Sequence, residues 1–244
     1  MRVEVIAPGP TCPGHPTTTL LIDGALAIDA GALGWFAPPV TQAAVRHVLL
    51  THSHIDHIAG LPVFVDNVYQ LAAEPPTVLG LPETLDALRR HVFNGTLMPD
   101  FVELGRTMAP FFHTRPLALG APVRLGRYAV TAQAVDHTVP TVAYTIDDGE
   151  AVVAVVTDTA PVPGLIAELA RLPRLRAVYL EASFPARLAD LAALTKHHTT
   201  AEFLAAARSL PVPVYAIHVK PRYADEVLTE LRAAALGNVV LPGS

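Results

Sequence analysis

Three histidines and an aspartate fall within six residues, His52-Ser53-His54-Ile55-Asp56-His57, in a chain that holds 11 histidines among 244 residues. The cluster follows the apolar run Val48-Leu49-Leu50 and precedes Gly60-Leu61-Pro62. An aliphatic run that stops at such a cluster reads as a buried strand handing its ligands to the loop at its end. Alternate residues of extended chain share a side, so His52 and His54 can grip one ion while Asp56 and His57, past the bend, reach a second. Imidazole and carboxylate are the donors that a borderline divalent cation takes.

Composition narrows the class around this feature. Hydrophobic residues make up 51% of the chain and charged residues only 16%, which supports a large buried core and argues against disorder. The formal charge is -5 and no Lys/Arg block occurs, so the chain lacks the electrostatic footprint expected of a nucleic-acid or anionic-membrane binder. Cys12 is the sole cysteine, excluding an intramolecular disulfide and a multi-thiolate metal site. The start, Met1 to Ile6, alternates like a first strand rather than a leader, and the apolar stretch 24–40 is broken by Asp29, Gly31, Gly34 and a Pro pair. A cytoplasmic protein is expected, with no membrane association.

The chain alternates strands and helices. Strands are expected at 3–6, 17–22, 25–28, 47–50 and 77–79, helices at 38–45, 62–72 and 82–92, with Asp23-Gly24 as a hairpin turn. Residues 93–116 lose the pattern and gather Phe93, Phe101, Phe111 and Phe112, as a functional or packing arm would. The second half repeats the plan, with strands at 128–135, 142–146, 151–156, 177–180, 214–217 and 239–241 and helices at 164–171, 185–194, 199–209 and 223–235. Asp147-Asp148-Gly149 marks another hairpin. No linker divides the chain, so 1–244 reads as a single α/β domain of two similar halves, about 1–120 and 121–244.

The remaining donors are sought where polar residues end apolar strands. His137, Asp158 and His218 each stand at such a position. Together they complete two sets, His52, His54 and His137 for one ion and Asp56, His57 and His218 for the other, with Asp158 between them. Such a set suits two ions sharing a water.

These residues resemble the metallo-β-lactamase superfamily, which implies a four-layer αββα sandwich with two mixed sheets flanked by helices and a dinuclear metal site. Finer motifs resemble the class II cyclic-nucleotide phosphodiesterases: Thr17-Thr18-Thr19, Ile28-Asp29-Ala30-Gly31, Val92-Phe93-Asn94-Gly95 with Pro99-Asp100-Phe101, His137-Thr138-Val139-Pro140, Glu181-Ala182-Ser183-Phe184 and His218-Val219-Lys220-Pro221. The neighbouring ribonuclease Z branch is similar in the same regions, and His198-Thr199-Thr200-Ala201-Glu202 suits either group. That branch carries a basic arm for tRNA that is not found here, which favours a small phosphodiester over nucleic acid.

The resemblance implies a hydrolase that opens 3′,5′-cyclic AMP or GMP to the 5′-monophosphate by attack of a metal-bound hydroxide. The alternatives are cleavage of tRNA 3′ ends or other phosphodiesters and, outside hydrolysis, a di-iron redox or metal-binding module. Two divalent ions are expected per chain, Zn first, with Mn or Fe also suited to His and Asp donors. Asp56, His198 and Glu181 are the expected catalytic residues: His198 precedes the capping-box spacing Thr199 to Glu202, near free helix N-H groups that favour phosphate, and Glu181 orients it; the spacing favours His198, with the adjacent His197 as the alternative active-site histidine. Asp29 is a candidate to hold His57 from behind, or a plain turn residue. Asn94, His91 and the aromatic segment are candidates for shaping the substrate pocket, and Lys220 for meeting phosphate or base. Oligomeric state is left open, a homodimer included.

Overall fold

The computed structural model describes residues 1–6 and 14–242; Cys12 lies outside them. Contacts separate two compact units, whose described residues are 1–6 and 17–118 in the first and 14–16 and 119–242 in the second.

The first unit is a six-stranded sheet in the order β1 (Val3–Val5), β2 (Leu20–Ile22), β3 (Leu26–Ile28), β4 (His47–Leu49), β5 (Thr77–Gly80), β6 (His113–Pro116). β1, β2 and β3 pair antiparallel, and β3 to β6 run parallel. Asp23 and Gly24 both take positive φ, 49° and 69°, which gives the tight turn that suits the twist of paired strands. β2 and β3 are buried along their whole length, so they read as unbroken apolar runs rather than alternating ones. The crossovers are α1 (Pro39–Gln42), α2 (Ile55–Ile58), α3 (Leu61–Val68), α4 (Pro82–His91) and α5 (Phe101–Thr107). Pro62 and Pro82 sit in the first turns of α3 and α4, where a missing N-H costs nothing, and Phe64, Val65, Val68 and Leu88 bury the inner faces.

The second unit is a seven-stranded sheet formed by β7 (Val123–Leu125), β8 (Tyr128–Val135), β9 (Thr141–Asp147), β10 (Val152–Val156), β11 (Leu175–Glu181), β12 (Val214–Ile217) and β13 (Val239–Val240), adjacent in reverse chain order. β7 to β10 form an antiparallel meander and β10 to β13 are parallel. The helices are α6 (Leu165–Ala170), α7 (Ala189–Thr195), α8 (Thr200–Arg208) and α9 (Ala224–Ala233). Phe203, Ala207, Val227 and Leu231 pack α8 and α9 against Val178, Leu180 and Val214 of the sheet. Each unit is thus a meander continued by parallel crossover strands. No helix among the described residues is long and apolar enough to cross a membrane.

Residues 93–116 hold two elements that the pattern conceals. Asp100 accepts from the Glu103 N-H at 3.0 Å and so caps α5, while β6, His-Thr-Arg-Pro, is an exposed edge strand without an apolar face. All four Phe are buried: Phe101 stacks on Phe111 at 4.1 Å, Phe93 lies 5.0 Å from Phe112, and Phe93 and Phe112 also line a cavity of about 290 Å³ with Leu88, Arg89 and Val102. They form an aromatic core of the first unit.

The loops after β3 and β4 interlock with each other and with the segment that leads into β2. The Thr18 N-H donates to the Asp56 carbonyl at 2.8 Å, Ala30 N-H to the His57 carbonyl at 2.7 Å, and Gly60 N-H to the Ala30 carbonyl at 2.9 Å. A Cβ on Gly31 would lie 2.0 Å from the Asp56 carbonyl oxygen. Gly31→Ala therefore loses about 3 kcal/mol in denaturant unfolding, from overpacking against backbone. Gly237→Ala, with open space around its Cβ, should unfold like the parent; equal midpoints for the two variants would contradict the interlock.

Candidate metal centre

In the first unit the ligand-bearing stretch is delivered by β4 and turned by α2. His54 is the N-cap residue of α2, Asp56 lies in its first turn and His57 in its last. His52 and His57 are fully buried, their rings 4.1 Å apart, and the His54 ring stands edge-on to His52 at 4.5 Å. Asp29, at the carboxyl end of β3 and fully buried, anchors the set. Its carboxylate accepts from His57 Nδ1-H at 2.7 Å, from the Thr51 N-H at 2.8 Å and from Thr51 Oγ1-H at 2.8 Å. Thr51 Oγ1 in turn lies 3.0 Å from His52 Nδ1 and can accept its proton. Both rings are thereby fixed with Nε2 carrying the lone pair, the form that binds a metal. His57 Nε2 lies 3.8 Å from Asp56 Oδ2.

In the second unit His137, Asp158, Glu181 and His218 stand at or just past the ends of β8, β10, β11 and β12, strands that run in the same direction. The open edge at the carboxyl ends of such strands is where α/β sheets place ligands. His137 Nδ1-H donates to the Lys196 carbonyl at 3.0 Å, which the left-handed C-cap of α7 turns towards it. His218 Nδ1 lies 3.0 Å from Ser183 Oγ, and Ser183 is 2.5 Å from Glu181 Oε2, so the hydroxyl gives its proton to the carboxylate and accepts from His218. The two Nε2 lone pairs then face one buried carboxylate: His218 Nε2 is 3.2 Å from Asp158 Oδ1, and His137 Nε2 is 3.7 Å from Asp158 Oδ2. Lone pairs facing an acceptor-only group in a dry site repel unless a cation lies among them. The donor set therefore fits a divalent metal.

Two strand-end residues carry backbone strain. Asp29 and His218 have φ of 57° and 54°, a region that L side chains rarely occupy. Such strain persists where the surroundings over-determine it, as at ligand clamps.

Glu181 is fully buried, accepting the Thr159 N-H at 2.5 Å through Oε1. The expected contact between Glu181 and His198 is corrected. It is His197 whose Nδ1 lies 2.9 Å from Glu181 Oε2, with its ring 5.4 Å from His218 in a near-parallel stack and 5.0 Å from His137. Ligand atoms of Glu181, His197 and His218 all lie within 4.8 Å of one another. Thr199 is the N-cap of α8 in a full capping box with Glu202, and Phe184 bridges Thr199 in a parallel pair. In that extended backbone adjacent side chains take opposite sides, so only one of the two histidines can meet Glu181.

Asn94 stands in an exposed turn, where its amide donates to the Arg90 carbonyl and accepts from the Thr96 and Leu97 N-H groups. His91 is exposed at the last turn of α4. Lys220 caps a short 3₁₀ turn over Pro221–Tyr223. His15 was not singled out from the sequence, yet it is buried beside the second set: its N-H donates to the Val219 carbonyl at 2.8 Å and its Nδ1 accepts the Val219 N-H at 3.4 Å. A lone His between prolines has no periodic signal to mark it.

The sequence profile of the cAMP phosphodiesterases class-II matches residues 39–158. The 3′,5′-cyclic-nucleotide phosphodiesterase 1 of Saccharomyces cerevisiae is 46% identical over 52 residues, 21% of this chain and 14% of that enzyme. The nuclear ribonuclease Z of Triticum aestivum is 31% identical over 134 residues, 54% of this chain and 69% of that protein. The unliganded crystal structure of yeast PDE1 superposes with a TM-score of 0.74 at 18% identity, covering 98% of this chain and 96% of that one. The metallo-beta-lactamase fold protein YhfI of Bacillus subtilis gives 0.72 at 18%, covering 98% and 94%. The chain belongs to the metallo-β-lactamase superfamily of metal-dependent hydrolases. Its two mixed sheets flanked by helices are that superfamily's fold, and the class-II profile spans the His52 to His57 stretch, His137 and Asp158.

Asp29→Ala strands the Thr51 N-H, the Thr51 hydroxyl and His57 Nδ1-H in a dry interior. A loss of ~3 kcal/mol in unfolding free energy is expected, together with weaker metal retention in elemental analysis. Retention of full stability would show that Asp29 is a plain turn residue. Burial, followed by the neighbouring His218, holds the His15 imidazolium down at about 4. The unfolded chain takes up this proton near 6.5 and the folded chain only near 4. Stability is therefore lost as pH falls through that window, by up to about 3 kcal/mol. His15→Gln should show a shallower fall between pH 6.5 and 4 in denaturant titrations.

Proposed function

We propose that the chain hydrolyses 3′,5′-cyclic nucleotides, cAMP or cGMP, to 5′-monophosphates, with the two donor sets jointly holding two divalent ions. The observation that carries this reading is the convergence of His137 Nε2 and His218 Nε2 on the buried Asp158 carboxylate, at 3.7 and 3.2 Å. His52, His54 and His137 would hold one ion and Asp56, His57 and His218 the other, with Asp158 shared. When bound, the ions supply an activated water and neutralise phosphoryl charge, and Zn suits a mixed His and Asp set.

The chain's own residues do the rest. Glu181 accepts His197 Nδ1-H and so fixes the ring with Nε2 outward, oriented to hold or deliver a proton at the departing 3′ oxygen. Glu181 also accepts the Ser183 hydroxyl, so a single carboxylate positions His197 and His218 together. Lys220 is assigned to the phosphate or base. The class-II profile match favours this substrate class over the ribonuclease Z branch, which the wheat relative keeps in view. The net charge of -5 weighs the same way, since a polynucleotide binder relies on cation contacts with many phosphates.

Metal-quantified protein should turn over cAMP or cGMP, and inertness on both while precursor tRNA is cleaved would move the chain to the other branch. His197→Ala should lower kcat by about 100-fold with both ions retained, while His198→Ala stays close to parent. Loss of metal in His197→Ala would make that residue a ligand instead. Asp158→Ala should lose metal; full occupancy in that variant would refute the shared carboxylate.

A further inference from the structure

The end of α7 meets the His137 loop at more than one atom. Lys196, the C-cap of that helix, takes φ 56° and ψ 57°, a left-handed pose that favours glycine because a Cβ crowds the backbone there. The pose brings its carbonyl to His137 Nδ1 at 3.0 Å. The side chain of the same residue folds back onto the same loop: its ammonium donates to the His137 carbonyl at 3.2 Å and to Asp136 Oδ1 at 2.7 Å. Asp136 is held in turn by its main chain, whose N-H donates to Thr159 Oγ1 at 3.2 Å and whose carbonyl accepts the Ala160 N-H at 2.8 Å. Thr159 and Ala160 directly follow Asp158.

One residue therefore grips His137 twice, the ring through its carbonyl and the main chain through its ammonium. We infer that Lys196 is a positioning residue for His137: its ammonium holds the loop where the Lys196 carbonyl can meet Nδ1, and so keeps Nε2 directed at Asp158. The ion pair with Asp136 contributes little to stability, since its side chains are 39% and 57% exposed. A glycine would relieve the left-handed backbone, so the lysine side chain earns its place through the loop it holds. The inference rests on the reading that His137 holds an ion, and it concerns the second unit alone. Charge and position act in opposite directions here. Removing an ammonium from the neighbourhood of a bound cation tightens binding by Coulomb's law, whereas loosening the contacts behind a ligand weakens it. The sign of the change separates the two.

Zinc is the probe, partitioned between the full chain and a chromophoric chelator, with denaturant unfolding measured alongside. Lys196→Gly removes the ammonium and eases the backbone, so it should bind zinc about 10-fold more weakly while unfolding at an equal or higher midpoint. Lys196→Met keeps the side-chain bulk and the left-handed pose, and should weaken zinc to a similar extent. Parent-like or tighter zinc binding in either variant would overturn the positioning role, as would a lowered midpoint in both. His137→Ala is the control and should lose one ion. Full zinc stoichiometry in that variant would remove His137 from the ligand set and the inference with it. Loss of the ion there, with parent-like zinc in the Lys196 variants, would overturn the role of Lys196 alone.

Discussion

The structure depends on how to bury imidazoles and carboxylates together without leaving them charged or unpaired. His52, His57, Asp158, Glu181 and His218 are all nearly inaccessible, and water would otherwise be their partner. Each buried polar group left unmatched costs on the order of 1–3 kcal/mol. The chain meets this demand with a second layer of acceptors. Asp29 and Thr51 hold two rings in the first unit, and Ser183 with the Lys196 carbonyl holds two in the second. Every one of these bonds is made at Nδ1. The consequence is chemical as much as structural, because four rings are oriented alike, each held at Nδ1 with Nε2 on the far side of the ring from that contact.

That arrangement explains where the backbone is strained. Asp29 must end β3 and still turn its carboxylate back under His57, and His218 must leave β12 and meet Ser183 at once. Both do so by adopting left-handed φ. Parallel strands make the geometry simple, since neighbouring carboxyl ends fall along one edge. Asp158, Glu181 and His218 come from three adjacent parallel strands, so short loops suffice to bring them together. Glycines of the first unit act in the complementary way, by leaving room: Gly31 and Gly60 allow two loops to approach at backbone distance, which no side chain would permit.

Much of this is legible in the chain itself, for identifiable reasons. The strand ending in the His52 cluster announces itself because a buried apolar run and a dense polar cluster adjoin. The hairpins at Asp23-Gly24 and Asp147-Asp148-Gly149 are readable because their turns demand particular residues. β6 is hidden because an exposed edge strand has no apolar period, and α5 because its signal is a capping Asp and a Glu three residues on, inside an aromatic segment. His197 and His198 show a subtler limit. Composition cannot separate two adjacent histidines, but the capping box fixes Thr199 as the N-cap, and extended chain before a cap sends neighbours to opposite sides. Which side holds Glu181 is a tertiary fact.

Surface electrostatics bears on the size of the substrate in a way that total charge alone does not. Lys and Arg number 17, against 22 Asp and Glu. Several of those cations already lie against carboxylates: Arg2 on Glu4, Arg90 on Asp86, Arg106 on Glu103, Arg174 on Asp147, Arg187 on Glu226 and Lys196 on Asp136. Exposed pairs of this kind add little stability, yet each one cancels a positive charge that a polyanion would otherwise meet. A polynucleotide gains affinity by releasing counterions along many phosphates, which requires a continuous row of unpaired cations. A cyclic nucleotide presents one phosphate, and a pair of divalent ions can meet that single charge without help from the surface. The interleaved charges therefore support the proposed small phosphodiester over a polynucleotide.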